Sequence, residues 1–358
     1  MSTRAHEPLT FRCGKTMANR YALAPLTNQQ SHADGTLGED ELRFLTMRAQ
    51  GGFGLTMTCA ASIDPLGVAF EGQLGLHDDA HLPGLRRLAD AIRAHGSLAV
   101  AQLHHGGMRA LAERIGRAPL APSDNERSGA VEMSEAEICH ARDGFVAAAR
   151  RVQAAGFDGV EIHGAHGYLL AEFLSPEINL RTDRWGGDPA RRFRLLDEVI
   201  AGVRAATGPA FLVGVRISPE RFGLDLGEMV TVAERLLVDA RIDFLDVSLW
   251  DYAKEPADSA YAGRTLASYF TGLPRDGVLL AGAGKIATPA DVDALLDAGF
   301  DFALLGRAAI LHHDLPRLHA ADPAFSPRPL PVPAATLAAE GLGPAFIDYM
   351  RRWDGFVG

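Results

Sequence analysis

Eight apolar runs of strand length, separated by stretches of helical periodicity, narrow the possible folds of this chain more than any other feature. They are Tyr21–Leu26, Gly54–Ala60, Leu98–Leu103, Gly159–Ile162, Phe211–Ile217, Phe244–Leu249, Val278–Ala281 and Phe302–Leu305. Runs that are apolar throughout, alternating with amphipathic helices, are the pattern of a parallel sheet covered on both faces. Helix starts are marked by a capping box at Ser134-Glu-Ala-Glu137 and by Asp188-Pro189, a capping residue followed by proline at the first helical position. Eight such units in 358 residues predict a closed (β/α)8 TIM barrel rather than an open sheet. No proline-rich or charged linker divides the chain, so one domain over residues 1–358 is expected. Leu9–Asn19, turning at Cys13-Gly14-Lys15, reads as a hairpin that caps the barrel bottom. The tail from Asp322 to Gly358 is expected to pack outside the barrel or on a second subunit.

With 47% hydrophobic residues, a chain of this length can bury a large core without disulfides or metals. The formal net charge of -10 argues against a nucleic-acid partner, which would call for an excess of Lys and Arg along a groove. Cys13, Cys59 and Cys139 are far apart and odd in number, which suits a reducing compartment. Met1–Thr10 lacks the apolar stretch of a leader, and no later stretch is long enough to span a membrane. A cytoplasmic location is therefore the expectation.

In a barrel, the residues just past the C-terminal end of each strand converge on one pocket. These are Pro25, Leu26 and Thr27 after the first run, Ala60 after the second, and Gln102, His104 and His105 after the third. His163, His166 and Tyr168 follow the fourth, and Arg216 ends the fifth. The seventh and eighth runs end in Gly282-Ala-Gly284-Lys285 and Gly306-Arg307. Paired glycine-containing strand ends, each leading into a helix, are the usual barrel phosphate site, with Arg307 as countercharge; tight turns are the simpler reading of either glycine alone. Two histidines can donate to one substrate oxygen and a tyrosine hydroxyl can deliver a proton, so His163, His166 and Tyr168 read as catalytic. The competing reading gathers His104, His105, His163 and His166 around a metal, but only Glu161 accompanies them as a carboxylate, and no metal is expected. The long loops Gly106–Met133 and Asp251–Pro274 are candidate lids on the same face.

Three segments carry a family resemblance: Asn19–Thr27, Ala101–Gly107 and above all the run from Ala155 to Gly187, which contains Glu161-Ile-His-Gly-Ala-His-Gly-Tyr168. With Val215-Arg-Ile217, Ala283-Gly284 and Leu305-Gly-Arg307 they resemble the old yellow enzymes, barrels that hold non-covalent FMN. The resemblance implies that Pro25, Leu26, Thr27, Ala60, Gln102 and Arg216 surround the flavin ring, with Gln102 on the pyrimidine edge and Arg216 near N1 and O2. Gly284, Lys285, Gly306 and Arg307 would hold the phosphate. Thr27 stands where another branch of the family carries cysteine. His163 and His166 would bind the oxygen of an activated alkene while hydride leaves flavin N5 for the β-carbon, and Tyr168 would protonate the α-carbon. NAD(P)H would reduce the flavin first, in the same pocket, and a dimer or larger homo-oligomer is implied.

The chain departs from the family in Met108-Arg109, where an arginine often stands one position earlier, and in Asn28, where a tyrosine often narrows the pocket. The Asn28 position is expected to leave the pocket more open or more polar. Arg351-Arg352-Trp353 reads as a solvated helix face rather than as an arm into a neighbouring site. Arg181, Asp183, Arg184 and Trp185 read as loop structure, and His77, His81 and His95 as solvated surface residues. The leading expectation is an FMN-dependent ene-reductase acting on a small activated alkene. A flavin-dependent amine demethylase or nitro-ester reductase is the enzymatic alternative; a metal hydrolase and a binding module come after it.

Overall fold

The computed structural model describes residues 4–358. Eight parallel strands close into a barrel in chain order: β1 Tyr21–Leu23, β2 Leu55–Ser62, β3 Leu98–His104, β4 Gly159–Gly164, β5 Leu212–Ile217, β6 Phe244–Ser248, β7 Leu279–Ala283 and β8 Phe302–Leu305. The last pairs with the first, Ala303 opposite Tyr21. Helices α1 Glu39–Gln50, α2 Leu82–Arg93, α3 Glu135–Ala154, α4 Pro189–Thr207, α5 Leu226–Leu237, α6 Ser268–Thr271, α7 Pro289–Asp297 and α8 Arg307–Leu311 alternate with the strands. The capping box forms as read, Ser134 accepting from the Glu137 N–H, and Asp188 caps α4 by accepting from the Arg191 N–H. The eight strands lie where the apolar runs placed them, with ends shifted by a few residues.

The barrel interior grades from apolar to polar along its axis. At the bottom, Leu55, Met57, Val100, Leu212, Phe244 and Phe302 form a cluster closed from below by Phe11 and Met17 of the N-terminal hairpin. The hairpin pairs Leu9–Thr10 with Thr16–Met17, as the sequence predicted. The Phe11 ring lies 5.8 Å from both Phe244 and Phe302, and it fills the opening that strand tilt leaves at the base. Gly214 makes room for this plug, because a Cβ there would stand 2.0 Å from the Phe244 ring. The aspartates that precede β4, β6 and β8 tie the base together. Asp158 accepts from the Ala99 N–H and from Lys15, Asp243 from the Val213 and Cys13 N–H groups, and Asp301 from the Leu280 N–H and Arg275.

The tail packs on the outside of the barrel against α1. Phe346 meets Phe44 edge-on at 5.2 Å, and the fully buried Arg48 donates to the carbonyls of Phe44, Ala309 and Glu340. The Glu340 carboxylate accepts from Arg328 at 2.6 Å and from the His313 ring at 2.7 Å. Burial opposes its ionisation, but the hydrogen bonds from His313 and Arg328 outweigh that and hold its pKa down at about 2. The loop of Arg181, Asp183, Arg184 and Trp185 is structural as read: Trp185 is fully buried, and Arg181 donates to Asp183 and to the carbonyls of Pro122 and Met133.

One surface reading fails. His81 is buried rather than solvated and packs edge-on against the half-buried His77, their Nε2 atoms 3.4 Å apart, while only His95 is exposed. Gly75 permits this, since a Cβ there would lie 2.6 Å from the His81 ring. Sequence periodicity could not show it, because the loop between β2 and α2 folds back over its own helix start.

Glu340→Gln is expected to lower unfolding stability by roughly 1–3 kcal/mol at neutral pH, through loss of charge-assisted bonds to two anchoring partners. Because the folded carboxyl titrates below the ordinary 4.5, its contribution is complete above that value and fades as pH falls toward 2. Urea melts of parent and variant should therefore differ at pH 7, draw together below pH 4.5 and converge only near pH 2.

Candidate active site

Strand register builds the site. Gln102 on β3 faces Glu161 on β4, His163 on β4 faces Arg216 on β5, and Arg216 in turn faces Asp246 on β6. Partners directly across parallel strands share a face, and here that face is the barrel interior just above the apolar plug. Arg216 lies 2.8 Å from Asp246, the Gln102 amide donates to Glu161 at 2.7 Å, and all four side chains are buried. Burial, reinforced by Asp246, raises the Glu161 pKa to about 8 against the opposing pull of Arg216; burial raises Asp246 to about 6. At neutral pH Glu161 therefore holds its proton, and Asp246 carries the charge that balances Arg216.

Above this layer stand His104, His163, His166 and Tyr168. The Gln73 amide donates to His104 Nδ1 at 3.1 Å, which places the ring proton of His104 on Nε2, a buried atom with no partner among the described residues. His163 Nδ1 is likewise buried and unpartnered. His166, in a left-handed backbone conformation with φ 61°, is pinned by the Ser218 hydroxyl at its N–H and by Ser248 at Nε2, 2.9 and 2.8 Å away. Ser248 thus leaves Nδ1 as the ring atom free to meet a ligand.

The His163 ring lies 5.0 Å from His166 and 5.3 Å from Tyr168. Burial, with neighbouring histidines and the Arg216 and Arg109 guanidinium groups, pushes the pKa of His163 well below the ordinary imidazole value. Burial, then Arg216 and Arg109, does the same at His166. Burial raises the Tyr168 hydroxyl. At neutral pH the site therefore offers uncharged imidazoles that donate through N–H and a phenol that keeps its proton.

The structure thus brings the predicted trio together with Gln102 and Arg216. His105 does not join them: its Nδ1 accepts from the Gly107 N–H on the outer side of the strand end. The four histidines therefore do not converge on one point, and among the described residues no group of three or more His, Cys, Asp or Glu side chains is placed to hold a metal. Asn28 also departs from expectation. Its side chain is completely buried and donates to the buried carboxyl of Glu41 at 3.1 Å, so it braces the loop after β1 and adds no polar group to the pocket.

Pro25, Leu26 and Thr27 are half-buried at the end of β1, and Ala60 follows an irregularity in the pairing of β2. Register pairs Ala283 with Leu304, so Gly284 and Gly306 leave neighbouring strands one residue out of step. Glycine is required at 284 because a Cβ would stand 2.8 Å from the Asp251 N–H, whereas above Gly306 only Leu26 comes near, at 3.5 Å. Arg307 is exposed at the start of α8, and Lys285 turns outward to pair with Asp251 at 2.9 Å.

Sequence reading missed Asp246 and Ser248. The signal was available: an acid and a hydroxyl two residues apart inside the otherwise apolar run Phe244–Leu249. It also missed Phe222 and Trp250, bulky residues with φ of 56° and 64° beside His166.

Comparison with known proteins agrees with this geometry. Residues 5–316 match the family described as NADH:flavin oxidoreductase / NADH oxidase. The chain is 38% identical over 316 residues to the probable NADH-dependent flavin oxidoreductase YqiG of Bacillus subtilis, covering 85% of this chain and 84% of that protein. It is 33% identical over 331 residues to an NADH:fumarate oxidoreductase of Klebsiella pneumoniae, of which it spans only 35%. Among solved structures, the old yellow enzyme homologue from Zymomonas mobilis superposes with a TM-score of 0.81 at 28% identity, covering 96% of this chain and 99% of that one.

These matches make FMN the resident cofactor and NAD(P)H the hydride donor. The residues present fit that group. Buried polar atoms of His163 and Glu161 lack hydrogen-bond partners among the described residues, and the start of α8 lies open beside the end of β7.

Asp246→Asn is expected to cost on the order of 3 kcal/mol of stability, since it strands a buried guanidinium. The shift should appear in the urea midpoint of the protein. An unaltered midpoint would mean that Arg216 is not balanced by Asp246.

Proposed function

The chain belongs to the NADH:flavin oxidoreductase / NADH oxidase family, the old yellow enzyme group, and on that footing we propose that it reduces the C=C bond of small activated alkenes such as enones, enals and nitroalkenes. FMN, when bound, supplies a carrier that takes hydride from NAD(P)H and delivers it to the substrate. Pro25, Leu26, Thr27, Ala60, Gln102 and Arg216 would line its ring, and Gly284, Gly306 and Arg307 its phosphate. Lys285, committed to Asp251, would contribute through its backbone alone.

The observation that carries this reading is the pair of neutral, buried imidazoles with a protonated phenol beside them. His163 donates an N–H to the carbonyl or nitro oxygen of the substrate, and His166, held by Ser248 and Ser218, donates a second. Both bonds strengthen as negative charge builds on that oxygen, which polarises the alkene. Tyr168 then gives its proton to the α-carbon. Buried imidazoles suit this work because a fixed uncharged donor aimed at the developing charge needs no reorganisation when the charge appears. The histidine pair and the tyrosine together favour alkene reduction over amine demethylation or nitro-ester reduction, since only the first uses both an oxygen clamp and a carbon-directed proton.

Tyr168→Phe is expected to retain flavin binding and bleaching by NAD(P)H while slowing reoxidation by 2-cyclohexenone about 100-fold or more, the usual scale for a positioned general acid. Stopped-flow absorbance separates the two half-reactions, and equal reoxidation rates would remove Tyr168 from the role. Because the histidine pKa values lie well below 6.5, the histidines should add no acid limb to kcat/KM for the enone at that value, where ordinary imidazoles would gain charge. An acid limb near 6.5 in the pH–rate profile that disappears in His163→Gln would contradict neutral, buried donors.

A further inference from the structure

Four rings form a series of successive contacts at the mouth of the site. Tyr168, His163, His166 and Trp250 have successive centroids 5.3, 5.0 and 6.3 Å apart. Each end of the series carries a guanidinium over its last ring: Arg109 lies 4.8 Å from the Tyr168 centroid and Arg221 4.4 Å from that of Trp250. Arg109 spends one N–H on the His166 carbonyl at 2.7 Å. Neither guanidinium enters an ion pair among the described residues, in contrast to Arg216, which has Asp246. The carboxylate next to Arg221 in the chain, Glu220, is committed elsewhere, to Lys254 and to the Ala257 N–H. Glu177 and Asp225 line the adjoining outer cleft without closing to ion-pair distance.

The Arg221 end is built rather than incidental. Arg221, Phe222 and Trp250 all hold left-handed backbone conformations, with φ of 72°, 56° and 64°, a costly state for bulky side chains. The bond between Lys254 and Glu220 ties the two loops that carry them, so Trp250 is kept beside His166 with Arg221 on its face. Stacking leaves the N–H edge of a guanidinium free, and that edge matches a carboxylate in two parallel bonds.

We infer that this mouth selects activated alkenes that carry a carboxylate away from the reacting carbonyl. With the carbonyl oxygen on His163 and His166 at the centre of the series, a tail extending to either side meets a guanidinium that enters no ion pair among the described residues. The inference rests on the alkene-reductase reading and adds the substrate's charge to it.

The test compares 4-oxopent-2-enoate with its methyl ester in the FMN-loaded parent, in Arg109→Gln, in Arg221→Gln and in the double variant. The acid-to-ester ratio of kcat/KM is expected to fall about tenfold or more in the double variant, with Arg221→Lys recovering part of the loss. Equilibrium titration of the flavin absorbance with 4-hydroxybenzoate and methyl 4-hydroxybenzoate gives a second readout independent of turnover, and the acid's advantage should shrink by a similar factor. Acid and ester falling together, or a loss confined to the KM for NAD(P)H, would overturn the inference and in the latter case assign the cations to the dinucleotide phosphates. If the parent is bleached by NAD(P)H yet neither compound reoxidises it, the alkene-reductase reading itself fails, an outcome separate from an unchanged ratio.

Discussion

A single buried cation organises the upper half of this barrel. Arg216 stands on β5 with its guanidinium beside Asp246, across the sheet from His163 and within the field of Glu161. A charge in that position would be prohibitive without compensation, and the structure compensates it with one ionised and one protonated carboxyl. Burial first of all keeps the histidines above Arg216 uncharged, and the same cation adds to that effect, because a further positive charge so close in a buried setting is disfavoured. The chemistry proposed for His163 and His166, donation of neutral N–H bonds to an oxygen that becomes negative, thus rests on their burial, with Arg216 one layer below adding to it.

That layer depends on the one beneath. Phe11, Met17, Phe244 and Phe302 seal the barrel base with apolar mass, so the polar groups are closed off from water on that side and face the C-terminal mouth. Gly214 allows the Phe244 ring to occupy the barrel centre, directly below the level of Arg216. The gradient from hydrocarbon to ion pair to neutral donors along one axis is what a ring-shaped cofactor with a charged reduced form requires: a dry floor, a fixed positive charge at one edge and hydrogen-bond donors over its face.

The loops add a different kind of control. Strained residues cluster where β4, β5 and β6 give way to the rim, at His166, Arg221, Phe222 and Trp250. The surrounding contacts, Ser218 and Ser248 on His166 and Lys254 on Glu220, hold those conformations in place. Rigid placement at the rim suits discrimination between substrates better than a mobile flap would, since the cost of ordering has been met before anything binds.

Much of this was legible in the sequence. Apolar runs of strand length with capped helices between them determined the barrel, because burial on both faces and βα alternation leave few other closed solutions, and the hairpin was visible as a turn between two short pairing segments. His163, His166, Tyr168, Gln102 and Arg216 could be named because strand ends in such a barrel converge and because their motif resembles a known family. What the tertiary structure alone decided were the pairings across strands far apart in the chain. Asp246 under Arg216, Ser248 on His166, Asn28 turned into Glu41, His81 folded beneath its own loop and Trp250 carrying Arg221 all depend on register and loop path. Local sequence carries a residue's preference for strand or helix, but which charge meets which is set by the shear of a closed barrel, a property of all eight strands at once.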